Sequence, residues 1–377
     1  MRYVLVELAV GSSLLAGIGG GVYLGFDYLR GGHTAVAAVE ARQPDPGLLP
    51  SPIVQVLPEA QAGTLPSPLP QIAPTRVEGW APDPSWSFLG KPDRELLTPL
   101  REQTITRVRF NKGGTSISLR VDFADGSRAA FKPDQTNYQT IPRKEIAAYR
   151  IARLLGIDTV PPAIGRKFRR EDVVSKLDDR SRELLPRFLA EVKTDENGMI
   201  QGELSHWIPE IRDFEIGGFR IDSVDGMVTW KRFLQQGDRK IPPGAQHALP
   251  QLSTMLAFDY LINNSDRWSG SNAKGSPDGK ILYLMDNTLS FGPEREGHTR
   301  VRIYLERSKK FSRRLIAALR SLDDEVVRKA MTRDTEPYPR LLTDAEIRAV
   351  LHRRGRLIEY VDALIQEHGE AAVLAYP

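Results

Sequence analysis

The sequence predicts an α+β fold with two lobes, a small lobe rich in β-strands followed by a larger lobe built mainly of helices. Three runs near the start of the folded part alternate apolar and polar residues, as half-buried strands do: Thr104–Phe110, Ser116–Phe123 and Arg128–Lys132. A helical apolar stripe follows at Arg143–Leu155. Helical patterns then dominate the second half, so we expect a cleft between the two lobes.

Turn and cap residues support these boundaries. Asp125-Gly126 is a hairpin signal between the second and third strands. Gly156 stands where a helix C-terminal cap is expected. In the second lobe we predict one strand at Lys280–Met285 and four helices. These helices are Gln251–Asn263, Arg313–Leu322, Asp324–Arg333 and Thr343–His368.

Composition excludes several classes of function. The 377 residues are 41% hydrophobic and 27% charged, which is typical of a globular protein. The net charge of +4 is too balanced to indicate nucleic-acid binding, so we predict no nucleic-acid partner. The chain has no cysteine, which excludes disulfides, zinc thiolate sites and thiol catalysis. Its six histidines form no metal-binding pair motif.

Residues 1–30 are predicted to hold a single-pass transmembrane anchor. Leu8–Phe26 has no charged residue and is long enough to cross a membrane as a helix. Gly17, Gly21 and Gly25 recur with the spacing that lets two membrane helices pack closely, which predicts a homodimer. A cleaved signal segment is the alternative, and the flanking charges leave open on which side of the membrane the folded domain lies.

A proline-rich linker is predicted at residues 31–97, because this stretch has too little apolar surface to fold. The folded domain is then predicted at residues 98–377. Its first lobe would occupy about 98–205 and its second lobe about 206–377.

The first candidate site residues lie in the β-rich lobe. Gly113 and Gly114 form a turn whose backbone N–H groups can approach a phosphate, and Thr115 adds a hydroxyl donor. Lys132 ends an apolar strand, and Glu145 lies in the first turn of the next helix. A carboxylate beside a buried lysine keeps the ammonium charged for binding nucleotide phosphates.

The second group lies in the helical lobe. Asp266 is followed six residues later by Asn272, and Asp286 ends an apolar strand further on. Magnesium prefers hard oxygen ligands and takes one or two carboxylates plus phosphates. Asp286 and Asn272 are therefore the candidate ligands for Mg²⁺, with Mn²⁺ as an alternative, and Asp266 is the candidate for orienting an acceptor hydroxyl.

Short runs around these residues resemble the phosphoinositide 3/4-kinase-like superfamily. The first lobe carries Phe131-Lys132-Pro133, the run RKEIAAY at 143–149, and Val160-Pro161-Pro162. These are similar to the lysine, the REvAAY helix and the VPP run of type II and plant gamma phosphatidylinositol 4-kinases. The second lobe carries Asp266-Arg267 and the run DNTLSFGP at 286–293, which are similar to the catalytic DR…N loop and the metal-binding DNGLAFP segment.

The same skeleton occurs in the Golgi secretory-pathway kinases and in HipA-type kinases, and the resemblance covers residues 105–295. It implies an atypical kinase-like fold that uses ATP and a divalent metal. Three positions depart from the pattern. Trp268 follows Asp266-Arg267, Thr288 replaces a glycine, and Asn272 is displaced by one position, which makes Ser271 an alternative ligand. Segment 196–210 resembles the strand and hinge that hold adenine.

These features predict a membrane-anchored kinase that transfers the γ-phosphate of ATP to a hydroxyl, with protein serine or threonine as the preferred acceptor. A phosphatidylinositol or sugar hydroxyl is the alternative acceptor. A pseudokinase that binds nucleotide as a scaffold is a further alternative, and so is nucleotidyl transfer by the same fold.

Overall fold

A computed structural model describes residues 83–111, 114–237, 239–269 and 272–377. All of them lie in one compact unit of the chain, Ser67–Pro377. The predicted anchor and residues 31–82 of the predicted linker lie outside the described residues, and so do Gly113 and Ser271. Within the described part of the chain, no helix is both long and apolar enough to cross a membrane.

The folded domain begins earlier than residue 98, so the predicted end of the linker is wrong. A short hairpin, β1 (Ser87–Phe88) with β2 (Lys91–Pro92), leads into helix α1 (Asp93–Glu102). Helix α1 buries Leu97 and Leu100 against the first lobe. Burial of its apolar side chains stabilises a segment whose prolines are otherwise typical of a linker.

The first lobe is a five-stranded antiparallel sheet with the order β3-β4-β5-β7-β6. The predicted first three strands are confirmed. The first two are shorter at their start than predicted, and the third extends one residue further. Their alternation places apolar side chains such as Val121 and Phe131 in the core on one face. The strands are β3 (Ile105–Phe110), β4 (Leu119–Phe123), β5 (Arg128–Pro133), β6 (Ala163–Arg169) and β7 (Met199–His206).

Helix α2 (Pro142–Leu154) connects β5 to β6 and confirms the predicted helix. Pro142 suits its first turn, where no N–H is needed. Gly156, just after the helix, has the positive φ of 71° that the predicted cap requires. Two short helices that the sequence patterns did not predict, α3 (Arg170–Ser175) and α4 (Leu185–Glu191), lie between β6 and β7.

The second lobe is mainly helical, as predicted, with small strands beside the helices. Three of its helices, α5, α7 and α11 below, were not predicted, and the predicted strand Lys280–Met285 is reduced to Leu282–Tyr283. The elements are β8 (Arg212–Asp213), β9 (Glu215–Ile216), β10 (Phe219–Arg220), α5 (Val224–Leu234), α6 (Ala248–Ile262), β11 (Lys274–Gly275), β12 (Leu282–Tyr283), α7 (Thr299–Glu306), α8 (Arg313–Ser321), α9 (Asp324–Thr332), α10 (Asp344–His368) and α11 (Glu370–Val373).

Helix α6 positions the functional loop of this lobe. It is apolar on all sides and almost entirely buried, as expected for the central helix of a lobe. It ends at Asn263, which takes a left-handed conformation with φ 57°. The chain therefore turns sharply into the loop that carries Asp266.

Candidate active site

An ion pair joins the two lobes. The Nζ atom of Lys132, at the end of β5, lies 2.6 Å from Oδ1 of Asp286, which follows β12 in the other lobe. Asp286 has a φ of 61°, a conformation that is uncommon for a non-glycine residue and costs free energy. The structure thus brings together two predicted site residues that are 154 positions apart.

Two further carboxylates, Glu145 and Glu203, act on Lys132. Burial alone would lower the pKa of Lys132, but the three carboxylates around it outweigh burial and raise that pKa. Burial raises the pKa of Glu145, against the effect of the lysine. Burial, reinforced by Glu145, raises the pKa of Glu203 well above its usual range. The lysine lowers the pKa of Asp286, so this carboxylate is the one that stays ionised most readily.

Glu145 binds Asn287, whereas its direct pairing with Lys132 had been expected. One oxygen of Glu145 accepts a hydrogen bond of 2.5 Å from the backbone N–H of Asn287, and the other accepts one of 2.9 Å from Nδ2 of the same residue. Both side chains are buried. Glu145 therefore influences Lys132 through its charge, and it fixes the position of the segment that carries Asp286.

Asp266 and Asn272 lie in contact. Nδ2 of Asn272 donates to Oδ2 of Asp266 at 2.8 Å and to its backbone carbonyl at 3.1 Å. Ser269 Oγ donates to the other carboxylate oxygen at 2.5 Å. The carboxylate of Asp266 is therefore oriented by its own loop, and the residue is half-buried.

Asn264 ties this loop to the segment of Asp286. Its Oδ1 atom accepts the backbone N–H of Asp266 at 3.1 Å, and its Nδ2 atom donates to Oδ1 of Asn287 at 3.1 Å and to the carbonyl of Asp286 at 3.4 Å. The residue is fully buried. One amide side chain thereby fixes the two candidate catalytic aspartates relative to each other.

Arg267 also connects the loop of Asp266 to the segment that carries Asp286. Its guanidinium pairs with Asp259 of α6 at 3.1 Å and donates to Oδ1 of Asn287 at 2.7 Å and to the carbonyl of Met285. Burial raises the pKa of Asp259 to about 6, against the attraction of Arg267. Arg267 is therefore a buried supporting residue, whereas the neighbouring Asp266 is half-buried.

The glycine turn connects β3 to β4. Gly114 has a φ of 83°, which only glycine adopts readily. The carbonyl of Thr115 accepts a hydrogen bond of 2.6 Å from Arg187, in α4. Gly113 lies outside the described residues, so the role of this turn in holding phosphate stays a prediction.

Residues Glu203, Asn264 and Asn287 were missed as site residues from the sequence alone. Glu203 stands directly opposite Lys132 in the register of β7 with β5. Its signal was a charged residue inside an apolar strand, next to Gly202. A Cβ at Gly202 would collide with the backbone of Lys132. Segment 196–210, predicted to hold adenine, contains β7 and the connection to the second lobe.

The oxygen atoms of this site suit a divalent metal. Oδ2 of Asp286 and Oδ1 of Asn272 have no hydrogen-bond partner among the described residues, and the side chain of Asp286 is 44% exposed. A carboxylate and an amide oxygen are hard ligands of the kind that Mg²⁺ and Mn²⁺ accept. Within the described ranges, no group of three or more acidic or histidine side chains is arranged to hold a metal ion.

A β-rich lobe and a helical lobe joined through a lysine–aspartate pair, with a second aspartate in a loop beside it, define a kinase-like protein of the atypical class. No protein-family model matches the chain. Individual proteins do match it. The extracellular serine/threonine protein kinase FAM20C of Homo sapiens is 24% identical over 52% of this chain and 40% of its own length.

The names of two further relatives describe activities that differ from that of a protein kinase. The pseudokinase FAM20A of Mus musculus is 23% identical over 70% of this chain and 56% of its own length. The glycosaminoglycan xylosylkinase of Danio rerio is 22% identical over 52% of this chain and 56% of its own length. The chain thus spans about half the length of the curated relatives it matches.

Solved structures agree on the fold. A crystal structure of the Golgi casein kinase with Mn/ADP bound superimposes with a TM-score of 0.57 at 15% identity, over 75% of this chain and 78% of the other. The structure of hydra Fam20 with sugar gives 0.56 at 18% identity, over 74% and 90%. These comparisons confirm the predicted resemblance to the secretory-pathway kinases. The phosphoinositide 3/4-kinase label holds only as a loose superfamily name.

Proposed function

We propose that this protein is a phosphotransferase that uses ATP and a divalent metal to phosphorylate a hydroxyl group. The observation that carries the proposal is the 2.6 Å contact between Lys132 and Asp286 across the cleft. In protein kinases a strand lysine contacts the nucleotide phosphates and an aspartate of the other lobe holds the metal, so a contact between two such residues is typical of that site. Named kinases among the relatives support the same activity.

The residues divide the work as follows in this proposal. Lys132 binds nucleotide phosphates, and Glu145 keeps the Asp286 segment in place through Asn287. Asp286 and Asn272 hold the metal, which when bound neutralises charge on the β- and γ-phosphates. Asp266 orients the acceptor hydroxyl and accepts its proton as the oxygen attacks phosphorus.

The acceptor that we favour is a protein serine or threonine, because a relative of this chain is a serine/threonine protein kinase. A sugar hydroxyl is the second candidate, because another relative is a xylosylkinase. A lipid hydroxyl is the third candidate acceptor, and only the sequence resemblance to phosphatidylinositol 4-kinases supports it. Screening the purified protein with labelled ATP against a protein substrate, a xyloside and phosphatidylinositol vesicles would rank the three.

The residues present at the candidate site support catalytic activity rather than a role as a pseudokinase scaffold. The chain has a cation, a candidate base and a candidate metal-binding carboxylate in Lys132, Asp266 and Asp286, although a pseudokinase is among the relatives. The test is transfer of label from γ-labelled ATP by the wild-type protein, with loss of transfer in Asp266→Ala and Asp286→Ala. Nucleotide binding without turnover would instead establish a pseudokinase, and retention of α-label on the acceptor would establish nucleotidyl transfer.

Membrane anchoring by Leu8–Phe26 and dimerisation through Gly17, Gly21 and Gly25 are part of the same proposal, because both rest on the sequence. Protease protection in intact cells would report the side on which the folded domain lies. A cleaved segment would appear as a shortened mature protein. Substitution Gly21→Ile is expected to weaken self-association in the membrane, and unchanged association would contradict the dimer.

A further inference from the structure

Helix α2 belongs to the first lobe, but its first turn contacts the second lobe on two sides. On one side Glu145 holds Asn287. Each residue advances about 100° around a helix, so the side chain of Arg143 leaves the helix about 200° away from that of Glu145. The same turn therefore presents two cations, Arg143 and Lys144, to another part of the second lobe.

The carboxylate of Glu346, in the first turn of α10, binds both of these cations. The two terminal nitrogens of Arg143 donate to its two oxygens at 2.9 and 3.0 Å, the paired geometry in which a guanidinium binds a carboxylate most strongly. Nζ of Lys144 lies 3.5 Å from one of the same oxygens. The side chains of Lys144 and Glu346 are only 8% and 9% exposed, so this contact is shielded from solvent. We call Arg143, Lys144 and Glu346 the α2–α10 clamp.

Glu346 is also fixed by its own helix. It is the third residue of α10 and forms a capping box with Thr343. Its backbone N–H donates to Oγ1 of Thr343 at 3.3 Å, and its Oε2 atom accepts the backbone N–H of Thr343 at 2.7 Å. Burial alone would raise the pKa of Glu346, but hydrogen bonds from Arg143 and Thr343 outweigh burial and lower that pKa. The carboxylate is therefore ionised and held in one orientation.

A second arginine binds the same face of α2 to the second lobe. Arg150 follows Arg143 by seven residues, which places the two side chains on one face of the helix. Its guanidinium donates to the carbonyl of Ala330 at 2.6 Å and to that of Asp334 at 2.7 Å. Contacts with α9, α10 and the segment between them therefore set the orientation of α2, and with it the position of Glu145.

We propose that Glu346 is a positioning residue for the metal site. Through the α2–α10 clamp it holds the first turn of α2 in the orientation in which Glu145 binds Asn287. Asn287 directly follows Asp286, so the clamp fixes the segment that carries the candidate metal ligand. The effect on the metal rests on the proposed function, because it takes Asp286 as a ligand. The effect on the contact between Glu145 and Asn287 does not.

The first measurement is hydrogen exchange at the backbone amide of Asn287 in the ligand-free protein, because this N–H donates to Glu145. Glu346→Gln keeps the size of the side chain and removes its charge, so it is expected to speed this exchange by about tenfold relative to the amides of β7. Strand β7 is paired on both sides, so its amides report global unfolding. Arg143→Lys keeps the charge but not the paired hydrogen bonds, and a smaller change in the same direction is expected.

The second measurement is Mn²⁺ binding in the presence of ATP, followed by calorimetry. Glu346→Gln is expected to weaken Mn²⁺ binding by about tenfold, which is the usual effect of removing a residue that orients a metal ligand. A purely structural role for Glu346 would lower the melting temperature and leave the Mn²⁺ affinity unchanged.

Two matched controls lie beside Glu346. Thr343→Ala removes the hydroxyl of the capping box and keeps the carboxylate of Glu346, so it should lower the melting temperature without altering the clamp. Asp344→Ala removes an exposed carboxylate from the same turn, where it pairs with Arg328 at 2.5 Å. Both variants should show normal exchange at Asn287, relative to β7, and normal Mn²⁺ affinity.

The outcomes separate the clamp from the proposed function. Unchanged exchange at Asn287 in both Glu346→Gln and Arg143→Lys would overturn the clamp, and so would equally fast exchange in Thr343→Ala. Faster exchange with unchanged Mn²⁺ affinity in Glu346→Gln would overturn the role of Glu346 at the metal site. Absence of Mn²⁺–ATP binding by the wild-type protein would overturn the proposed function, and hydrogen exchange would still decide whether the clamp holds α2.

Discussion

The ammonium of Lys132 and the carboxylate of Asp286 lie in contact across the cleft, although Asp286 belongs to the other lobe. The ammonium is mostly buried, and a buried charge without a partner is costly, so the carboxylate of Asp286 stabilises it. In the proposed function the nucleotide phosphates would bind the ammonium and the metal would bind the carboxylate. The contact therefore brings the two proposed halves of the metal–nucleotide site side by side.

The first prediction concerns this pair. Asp286→Asn removes the metal-binding charge, and Lys132→Met removes the phosphate cation, so each is expected to reduce phosphotransfer by about a hundredfold or more. The measurement is transfer of γ-label, with circular dichroism to confirm folding. Lys167→Met is the matched control, because Lys167 forms an exposed pair with Asp195 at 3.4 Å. Its activity should stay normal, and comparable activity in Asp286→Asn would contradict the assignment.

A second prediction concerns Asn264, which contacts the backbones of both aspartate segments. Asn264→Ala leaves buried polar groups without partners, so we expect a loss of about 1–3 kcal/mol in the free energy of unfolding. The reaction rate should fall more than the affinity for ATP, because the two aspartates lose their relative position. Urea titration and steady-state kinetics measure these effects. Asn197→Ala, at an exposed turn, is the control.

Sequence reasoning located the charged centre because each of its residues ends a strongly patterned element. Lys132 follows an apolar strand, and Asp286 follows another, so the position of each is set by local pattern. Glu203 and Asn264 were missed because their importance depends on contacts across the fold. Glu203 lies beside Lys132 through the pairing of β7 with β5, and Asn264 acts through its hydrogen bonds to Asp266, Asp286 and Asn287.

Short helices escaped prediction for a related reason. Helix α5 contains Gly226 and several β-branched residues, which disfavour a helix in isolation. It is stabilised by the Ser223 cap, which accepts the N–H of Gly226, and by burial of Trp230. Most of helix α1 was assigned to the linker, and Pro99 inside it disfavours a helix in isolation. In both segments tertiary packing outweighs intrinsic propensity.

The third prediction tests where the domain begins. Asp93 of α1 is fully buried, pairs with Arg153 of α2 at 2.7 Å and accepts a hydrogen bond from Tyr149 at 2.9 Å. A protein that starts at residue 83 is expected to fold, whereas one that starts at residue 103 is expected to lose cooperative unfolding. Asp93→Ala should cost about 3–5 kcal/mol, because it leaves Arg153 buried and unpaired.

A matched control for this prediction lies on the same helix. Arg101→Ala removes an exposed pair with Asp334, so its effect should be about 1 kcal/mol or less. Thermal and urea unfolding measure all four variants. Equal stability of Asp93→Ala and the wild-type protein would show that α1 is not part of the folded unit.

The last prediction concerns pH. Burial raises the pKa of Asp259 to about 6, well above the value expected in the unfolded chain. Between about pH 4 and 6 the unfolded chain releases this proton while the folded protein retains it, so rising pH favours unfolding. The contribution of Asp259 to the free energy of unfolding should therefore fall across this window, by an amount of the order of 1–3 kcal/mol.

Asp259→Asn isolates this contribution, because an amide resembles the protonated acid and does not titrate. The difference in the free energy of unfolding between the wild-type protein and Asp259→Asn should decrease as the pH rises from 4 to 6. Asp278→Asn is the control, since a hydrogen bond from Ser276 lowers the pKa of that exposed carboxyl and its contribution changes below about pH 4 rather than across this window. A difference that instead increases with pH would mean that attraction to Arg267 outweighs burial at Asp259. The loop of Asp266 would then be held by an ion pair over the whole range.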